Sequence, residues 1–322
     1  MKFDAKTAKR WSKMGIRAVY GKIVSTLAKE NENVLLMSAD LGRSSGLASF
    51  YSNYPERFVN VGIAEQNMIG VAAGLSRCEY NVFASTFAPF ATMRAAEQVR
   101  MNMGYMKEPV KLIGLGSGLS MAFLGNSHFG LEDVSVMRAI PGLTILSPAD
   151  GFELALMIEK LSDYDQPCYV RLTGAPNYPV VFEERFDFQI GKSTWVRPKA
   201  KVNILSTGTT SGHALSAIDL LANEGTTLGL LHLSTLKPID EAALIELVKD
   251  SEILFVCEEH TKIGGLYSII AELIVKYSLF TTKIINRSLP DEYLETGDYE
   301  YLLNLYGLDA HGIKSLVMEH LS

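Results

Sequence analysis

The side chains suited to acid–base chemistry gather in one part of the chain. In Phe58-Val59-Asn60-Val61-Gly62-Ile63-Ala64-Glu65-Gln66-Asn67-Met68, Glu65 opens a segment that runs on small and apolar through Gly70, Ala72, Ala73 and Gly74. Standing alone, Glu65 reads as a first-turn glutamate favoured by the helix dipole. It does not stand alone. Downstream come Ser85-Thr86-Phe87-Ala88-Pro89-Phe90, then Ser127-His128-Phe129-Gly130-Leu131-Glu132-Asp133, then Arg138-Ala139-Ile140-Pro141-Gly142-Leu143 and Ser147-Pro148-Ala149-Asp150. His128 differs from the other histidines, which read as structural. A glycine-rich loop precedes it and a helix start follows it. Such loops commonly carry binding and catalytic groups.

Other short signals fail on spacing. Gly191-Lys192-Ser193 looks like the end of a phosphate-binding loop, but Phe186 stands where its first glycine is needed. Gly114-Leu115-Gly116-Ser117-Gly118 has Met121 in place of the last glycine of a dinucleotide fingerprint, and reads as a tight turn. Gly208-Thr209-Thr210-Ser211-Gly212 reads as a plain strand-to-helix turn rather than an anion cradle. Glu258-Glu259-His260 are consecutive on a strand and point to alternate faces, which makes them a polar strand end rather than a metal site.

The elements that must position these residues alternate. Apolar β-rich runs at 34–38, 82–84, 110–114, 143–146 and 167–172 are separated by helical spacing at 64–75, 91–102 and 150–161, with Asp150 as a helix cap. Alternation of this kind implies a mostly parallel sheet with helices on both faces. It pauses over 174–201, where prolines, charges and aromatics mark a linker with an edge strand at 188–196. It restarts with strands at 202–206, 227–233, 253–256 and 283–286 and helices at 213–223, 241–249 and 266–276. The expected fold class is α/β: two doubly wound α/β domains with mostly parallel sheets, at 1–174 and 201–322, joined by 175–200.

Size and composition agree. A chain of 322 residues suits two domains at about 150 residues each. Its 48% hydrophobic and 20% charged residues are a globular balance. The net charge of −6 argues against a general nucleic-acid binder. No apolar run approaches the ~18 residues of a membrane span, and the charged N-terminus lacks the apolar core of a signal peptide. Cys78, Cys168 and Cys257 are far apart and form no CxxC, which points to a reducing cytoplasm.

In their order and spacing, the Glu65, Phe90, His128 and Asp150 segments resemble the transketolase family of thiamine-diphosphate enzymes. Cys257-Glu258-Glu259-His260-Thr261-Lys262-Ile263-Gly264-Gly265-Leu266 and Leu289-Pro290-Asp291-Glu292-Tyr293-Leu294-Glu295-Thr296 resemble its C-terminal domain. The resemblance covers a pyrimidine-binding domain and a C-terminal domain, nearly the whole chain. It implies that Glu65 bonds N1′ of the cofactor's pyrimidine and promotes the imino form that deprotonates C2 of the thiazolium. It implies that Phe90, with Phe87 beside it, stacks on the aminopyrimidine, and that Asp40 lies near the cofactor. His128 matches the histidine facing the substrate's hydroxyls and carbonyl. Arg171 matches an arginine that holds the sugar phosphate, and Arg17 and Ser44 match further phosphate contacts.

The chain contains no GDG, the mark of the family's diphosphate-binding domain. The resemblance therefore implies the C-terminal subunit of a split transketolase in an α2β2 assembly, with a separate N-terminal chain holding the diphosphate through Mg2+ or Ca2+ and no metal ligands in this one. Two departures bear on substrate. Leu124 stands where the family loop G-x-D-G-P-T-H has aspartate, and Gly116 stands where a phosphate-contacting histidine is common. They point away from the usual pentose phosphates, to a different sugar phosphate or to another anionic or branched sugar. The competing readings are the beta subunit of a 2-oxo acid dehydrogenase and a noncatalytic transketolase-like regulatory protein.

Overall fold

The computed structural model describes residues 3–321. Its strands are β1 (Val34–Ser38), β2 (Phe58–Asn60), β3 (Asn81–Phe87), β4 (Lys111–Leu115), β5 (Thr144–Leu146), β6 (Cys168–Leu172), β7 (Thr194–Arg197), β8 (Val202–Ser206), β9 (Gly229–His232), β10 (Thr235–Lys237), β11 (Ile253–Thr261) and β12 (Lys283–Leu289). They form a seven-stranded sheet in the order β10-β5-β6-β4-β3-β1-β2 and a five-stranded sheet in the order β12-β11-β8-β9-β7. All pairings are parallel except two at sheet edges, β10 on β5 and β7 on β9. The α/β class with two mostly parallel sheets is thus as the sequence implies.

Three details differ from the sequence expectation. The strand expected at 82–84 extends to Phe87, because Ser85 and Thr86 are fully buried despite their hydroxyls. Ser85 shares a 2.8 Å hydrogen bond with the phenol of Tyr20 from the covering helix. Of the edge strand expected at 188–196, only Thr194–Arg197 pairs, and it belongs to the second sheet. Finally, β10 leaves the second half of the chain and closes the edge of the first sheet, so the halves are not separate bodies. One hydrophobic core runs across them: Leu112, Ile145 and Tyr169 of the first sheet pack in the same cluster as Leu205, Leu231 and Leu254 of the second. Among the described residues, no helix is long and apolar enough to cross a membrane.

Asp150 does more than cap a helix. Its Oδ1 accepts from the backbone N–H groups of Phe152 and Glu153, each at 2.9 Å. Its Oδ2 accepts from Val181 and Phe182, also at 2.9 Å, and so pins the connecting segment to the first domain. Asp150→Ala should therefore destabilise the chain by about 2 kcal/mol or more, beyond a cap alone. Urea unfolding of the full chain measures it; a loss under about 0.5 kcal/mol, the usual surface value, contradicts the account.

Candidate active site

The parallel strands end on one side of the first sheet, and loops leave them there, the usual place for ligands in open α/β sheets. Glu65 opens the helix Glu65–Arg77 beyond β2, and only 2% of its surface is exposed. Phe87 is the last residue of β3, and Phe90 follows it. The rings of Phe87, Phe90 and His128 meet, with centroids 5.8 Å (Phe87–His128), 5.4 Å (Phe90–His128) and 6.1 Å (Phe87–Phe90) apart. His128 is half-buried, and its Nδ1 is 2.9 Å from the Ser127 hydroxyl.

The helix expected over 91–102 is instead two π-helical stretches, Phe90–Arg94 and Val99–Tyr105, around the short α-helical turn Ala96–Gln98. The N–H of Ala95 bonds back five residues to the carbonyl of Phe90 at 3.2 Å. Such wide turns are rare and often sit at functional sites. Here the turn sets Arg94 over the Phe90 ring, with Cζ 4.1 Å from the ring centre. Arg94 Nη1 donates to both carboxylate oxygens of Glu65, at 3.0 and 2.9 Å. Sequence reasoning does not single out Arg94; the available signal is a cation one turn after Phe90.

Asp40 and Ser44 line a different recess, a cavity of about 400 Å³ shared with Gly42, Arg43, Tyr51, Phe58 and Asn60. Asp40 has a left-handed backbone (φ 59°), and its N–H donates to the Asn60 side chain at 3.0 Å. Arg17 lies on the helix Ile16–Glu30, and its Nη1 approaches the Met121 sulfur at 3.9 Å. Burial lowers its pKa from the ordinary arginine value. The helix reaches the 41–46 loop closely enough that a Cβ on Gly21 would lie 2.0 Å from the Gly46 carbonyl oxygen.

Arg171, expected from the resemblance to hold the sugar phosphate, lies in β6 with its side chain 1% exposed. Nε donates to Asp133 Oδ2 at 3.0 Å, and Nη2 donates to the Glu259 carbonyl at 3.1 Å. Asp133 Oδ2 also accepts from the Tyr169 hydroxyl at 2.8 Å. Burial acts to raise the Asp133 pKa, but the charges of Arg171 and His260 outweigh it and leave the carboxyl below its usual value. Nε and Nη2 of Arg171 are thus engaged inside the protein, on Asp133 and on the Glu259 carbonyl. Glu258, Glu259 and His260, read from sequence as a polar strand end, are buried parts of the same seam. Glu259 accepts from Leu119 N–H at 2.6 Å and from the Tyr299 hydroxyl at 2.7 Å, and Glu258 accepts from Leu266 and Tyr267. Burial pushes both carboxyls up to about 7 and His260 down to about 4. Removing one partner of a buried pair costs about 3–5 kcal/mol. Arg171→Met should thus destabilise the chain by that order in urea unfolding. Wild-type stability with a selectively raised KM for a phosphorylated substrate would restore Arg171 to the site.

The two departures also have structural surroundings. A Cβ on Gly116 (φ 65°) would come within 2.5 Å of the Met121 sulfur, so Met121 fills the space that a side chain at 116 would need. Leu124 is 42% exposed beside Phe123, which is 78% exposed, on the helical turns Ala122–Ser127 before His128. Among the described residues, no three or more His, Cys, Asp or Glu side chains are grouped to hold a metal ion.

Two joined, mostly parallel-sheet domains, with a buried carboxylate, aromatic rings and a histidine beyond the strand ends of the first, define a two-domain α/β protein with its polar and aromatic groups gathered where open sheets place ligands. The chain belongs to the transketolase family. Residues 12–176 match the family model for the transketolase pyrimidine-binding domain, and residues 191–313 match that for the transketolase C-terminal domain. It is 36% identical to a putative transketolase C-terminal section of Methanocaldococcus jannaschii, over 95% of this chain and 96% of that one. It is 32% identical to one subunit of an apulose-4-phosphate transketolase from Phocaeicola vulgatus, over 91% and 93% of the two chains. Among solved structures it resembles a split-gene transketolase described as an inactive beta4 tetramer, with a TM-score of 0.82, 34% identity, and coverage of 95% of this chain and 98% of that one. The family depends on thiamine diphosphate.

Proposed function

We propose that this chain is the C-terminal subunit of a split transketolase of carbohydrate metabolism, moving a two-carbon ketol unit from a ketose phosphate to an aldose phosphate. The observation that carries the reading is a buried carboxylate, Glu65, joined to a flat cation stacked on Phe90, with the His128 ring against that same phenylalanine. A seat that holds a planar donor against both a ring face and a carboxylate fits the aminopyrimidine of thiamine diphosphate. When bound, the cofactor supplies a nucleophilic carbon and an electron sink for making and breaking carbon–carbon bonds. Glu65 then holds a proton at N1′ of the pyrimidine. Phe90 fixes the plane of the ring, Phe87 backs it, and Asp40 lies at the neighbouring recess. His128 hydrogen-bonds the sugar's carbonyl and hydroxyls, while Arg17 and Ser44 are the groups left for anionic contacts.

The diphosphate and its Mg2+ or Ca2+ belong, in this reading, to an N-terminal chain, and the working form is an α2β2 heterotetramer in the cytoplasm. Support comes from the similar proteins: one is named as a single subunit of its transketolase, and a beta-only tetramer is described as inactive. The isolated chain with thiamine diphosphate and Mg2+ should give no turnover, and addition of the N-terminal chain should restore it. Assays pairing a ketose phosphate with an aldose, and a 2-oxo acid with an electron acceptor, test the reaction class. Full activity of the isolated chain, or activity only with the 2-oxo acid, overturns the proposal.

Glu65→Gln keeps the shape of the side chain but cannot pass the same proton to N1′. Turnover of the assembled enzyme should fall by about 10²–10⁴, the usual worth of a general acid–base group, with assembly intact by size-exclusion chromatography. A wild-type kcat would make Glu65 a helix-start residue only.

The acceptor is proposed to be a sugar phosphate other than a common pentose phosphate, as the apulose-4-phosphate relative illustrates. Leu124 offers a substrate hydroxyl no partner, and an unpaired buried hydroxyl costs on the order of 1–3 kcal/mol. Leu124→Asp should therefore raise kcat/KM for ribose 5-phosphate relative to other acceptors by roughly tenfold. Unchanged discrimination across an acceptor panel would show that Leu124 does not read the substrate.

A further inference from the structure

Arg94 makes two contacts at once. It lies over Phe90, with Cζ 4.1 Å from the ring centre, and it donates from Nη1 to both oxygens of Glu65. These are the two contacts that the proposed cofactor ring needs: a stacking face and a carboxylate. One face of one ring accepts one planar group at van der Waals distance. Both oxygens of Glu65 are already engaged by the guanidinium. Arg94 and the pyrimidine therefore exclude each other.

The anchoring of Arg94 suits a side chain that leaves. Its backbone is fixed: its carbonyl accepts from Gln66 Nε2 at 3.1 Å, and it lies in the π-helical turn after Phe90. Its side chain remains 46% exposed, so a rotamer change carries the guanidinium into solvent without moving the turn. Glu65, at 2% exposed, has no such freedom and would be a buried charge without a counterion if nothing filled the seat.

Resting on the transketolase reading, we infer that Arg94 is a positioning residue that occupies the seat of the pyrimidine until thiamine diphosphate displaces it. It holds the Glu65 carboxyl and the Phe90 ring in place in the unloaded subunit, and it competes with the cofactor for both.

The test is calorimetric titration of thiamine diphosphate with Mg2+ into the chain assembled with its N-terminal partner, comparing wild type with Arg94→Met and Arg94→Gln. Removing a cation–ring contact and an ion pair that exist only in the unloaded state should tighten cofactor binding by roughly tenfold. Both variants should lower the Tm of the unloaded assembly and leave that of the loaded assembly unchanged, a split that a merely structural role would not produce. An unchanged or weakened Kd in either folded variant, or equal Tm losses with and without cofactor, overturns the inference while leaving the transketolase reading in place. A wild-type assembly that binds no thiamine diphosphate overturns both.

Discussion

An ion pair without access to water, Arg171 with Asp133, lies at the seam between the two sheets, and the site hangs from it. Asp133 begins the helix that follows the His128 loop, while Arg171 lies in β6 and also donates to the Glu259 carbonyl of β11 in the other sheet. The base of the loop is closed by backbone bonds between Gly118 and Gly130 at 2.8 and 3.1 Å, and Leu131 is tied to Thr261 at 3.0 Å. Buried pairs of this kind are weak sources of net stability, since desolvation offsets much of the attraction. What this one supplies is direction. Arg171 has its donors fixed on two elements at once, so the loop that carries His128 has one register against both sheets.

The alternation of strand and helix was legible in the sequence because apolar periodicity reports which faces are buried. It failed where burial was polar. Ser85 and Thr86 looked like a strand end, yet Tyr20 satisfies one of them inside the core. It also failed where the backbone changes its turn size, since a π-turn leaves apolar spacing nearly unchanged while moving Arg94 over Phe90. Of the candidate site, the rings of Phe87, Phe90 and His128 meet and Arg94 links Phe90 to Glu65, whereas Asp40 and Ser44 share a neighbouring recess. The Asp133 contact of Arg171 was not legible, because a strand-end arginine looks the same in sequence whether it faces a ligand or a carboxylate that lies 38 residues away along the chain.

The second half of the chain supplies none of the candidate residues, yet it shapes the loop that leads into His128. Asn126 donates to the Leu294 carbonyl and accepts from its N–H, both at 2.8 Å. Next to it, Gly125 has φ 69°, and a Cβ there would lie 2.5 Å from the methyl of Thr296, so only glycine lets the loop close on that segment. With residues 125 and 126 locked to 294–296, Phe123 and Leu124 are the exposed apolar side chains ahead of His128. The loop conformation is thus set by the C-terminal domain, while the character of what it meets is set by two apolar side chains. Substitutions at 123 or 124 can change the meeting surface without moving His128. Substitutions at 125, 126 or 296 would move both together, because those residues fix the loop against the second domain.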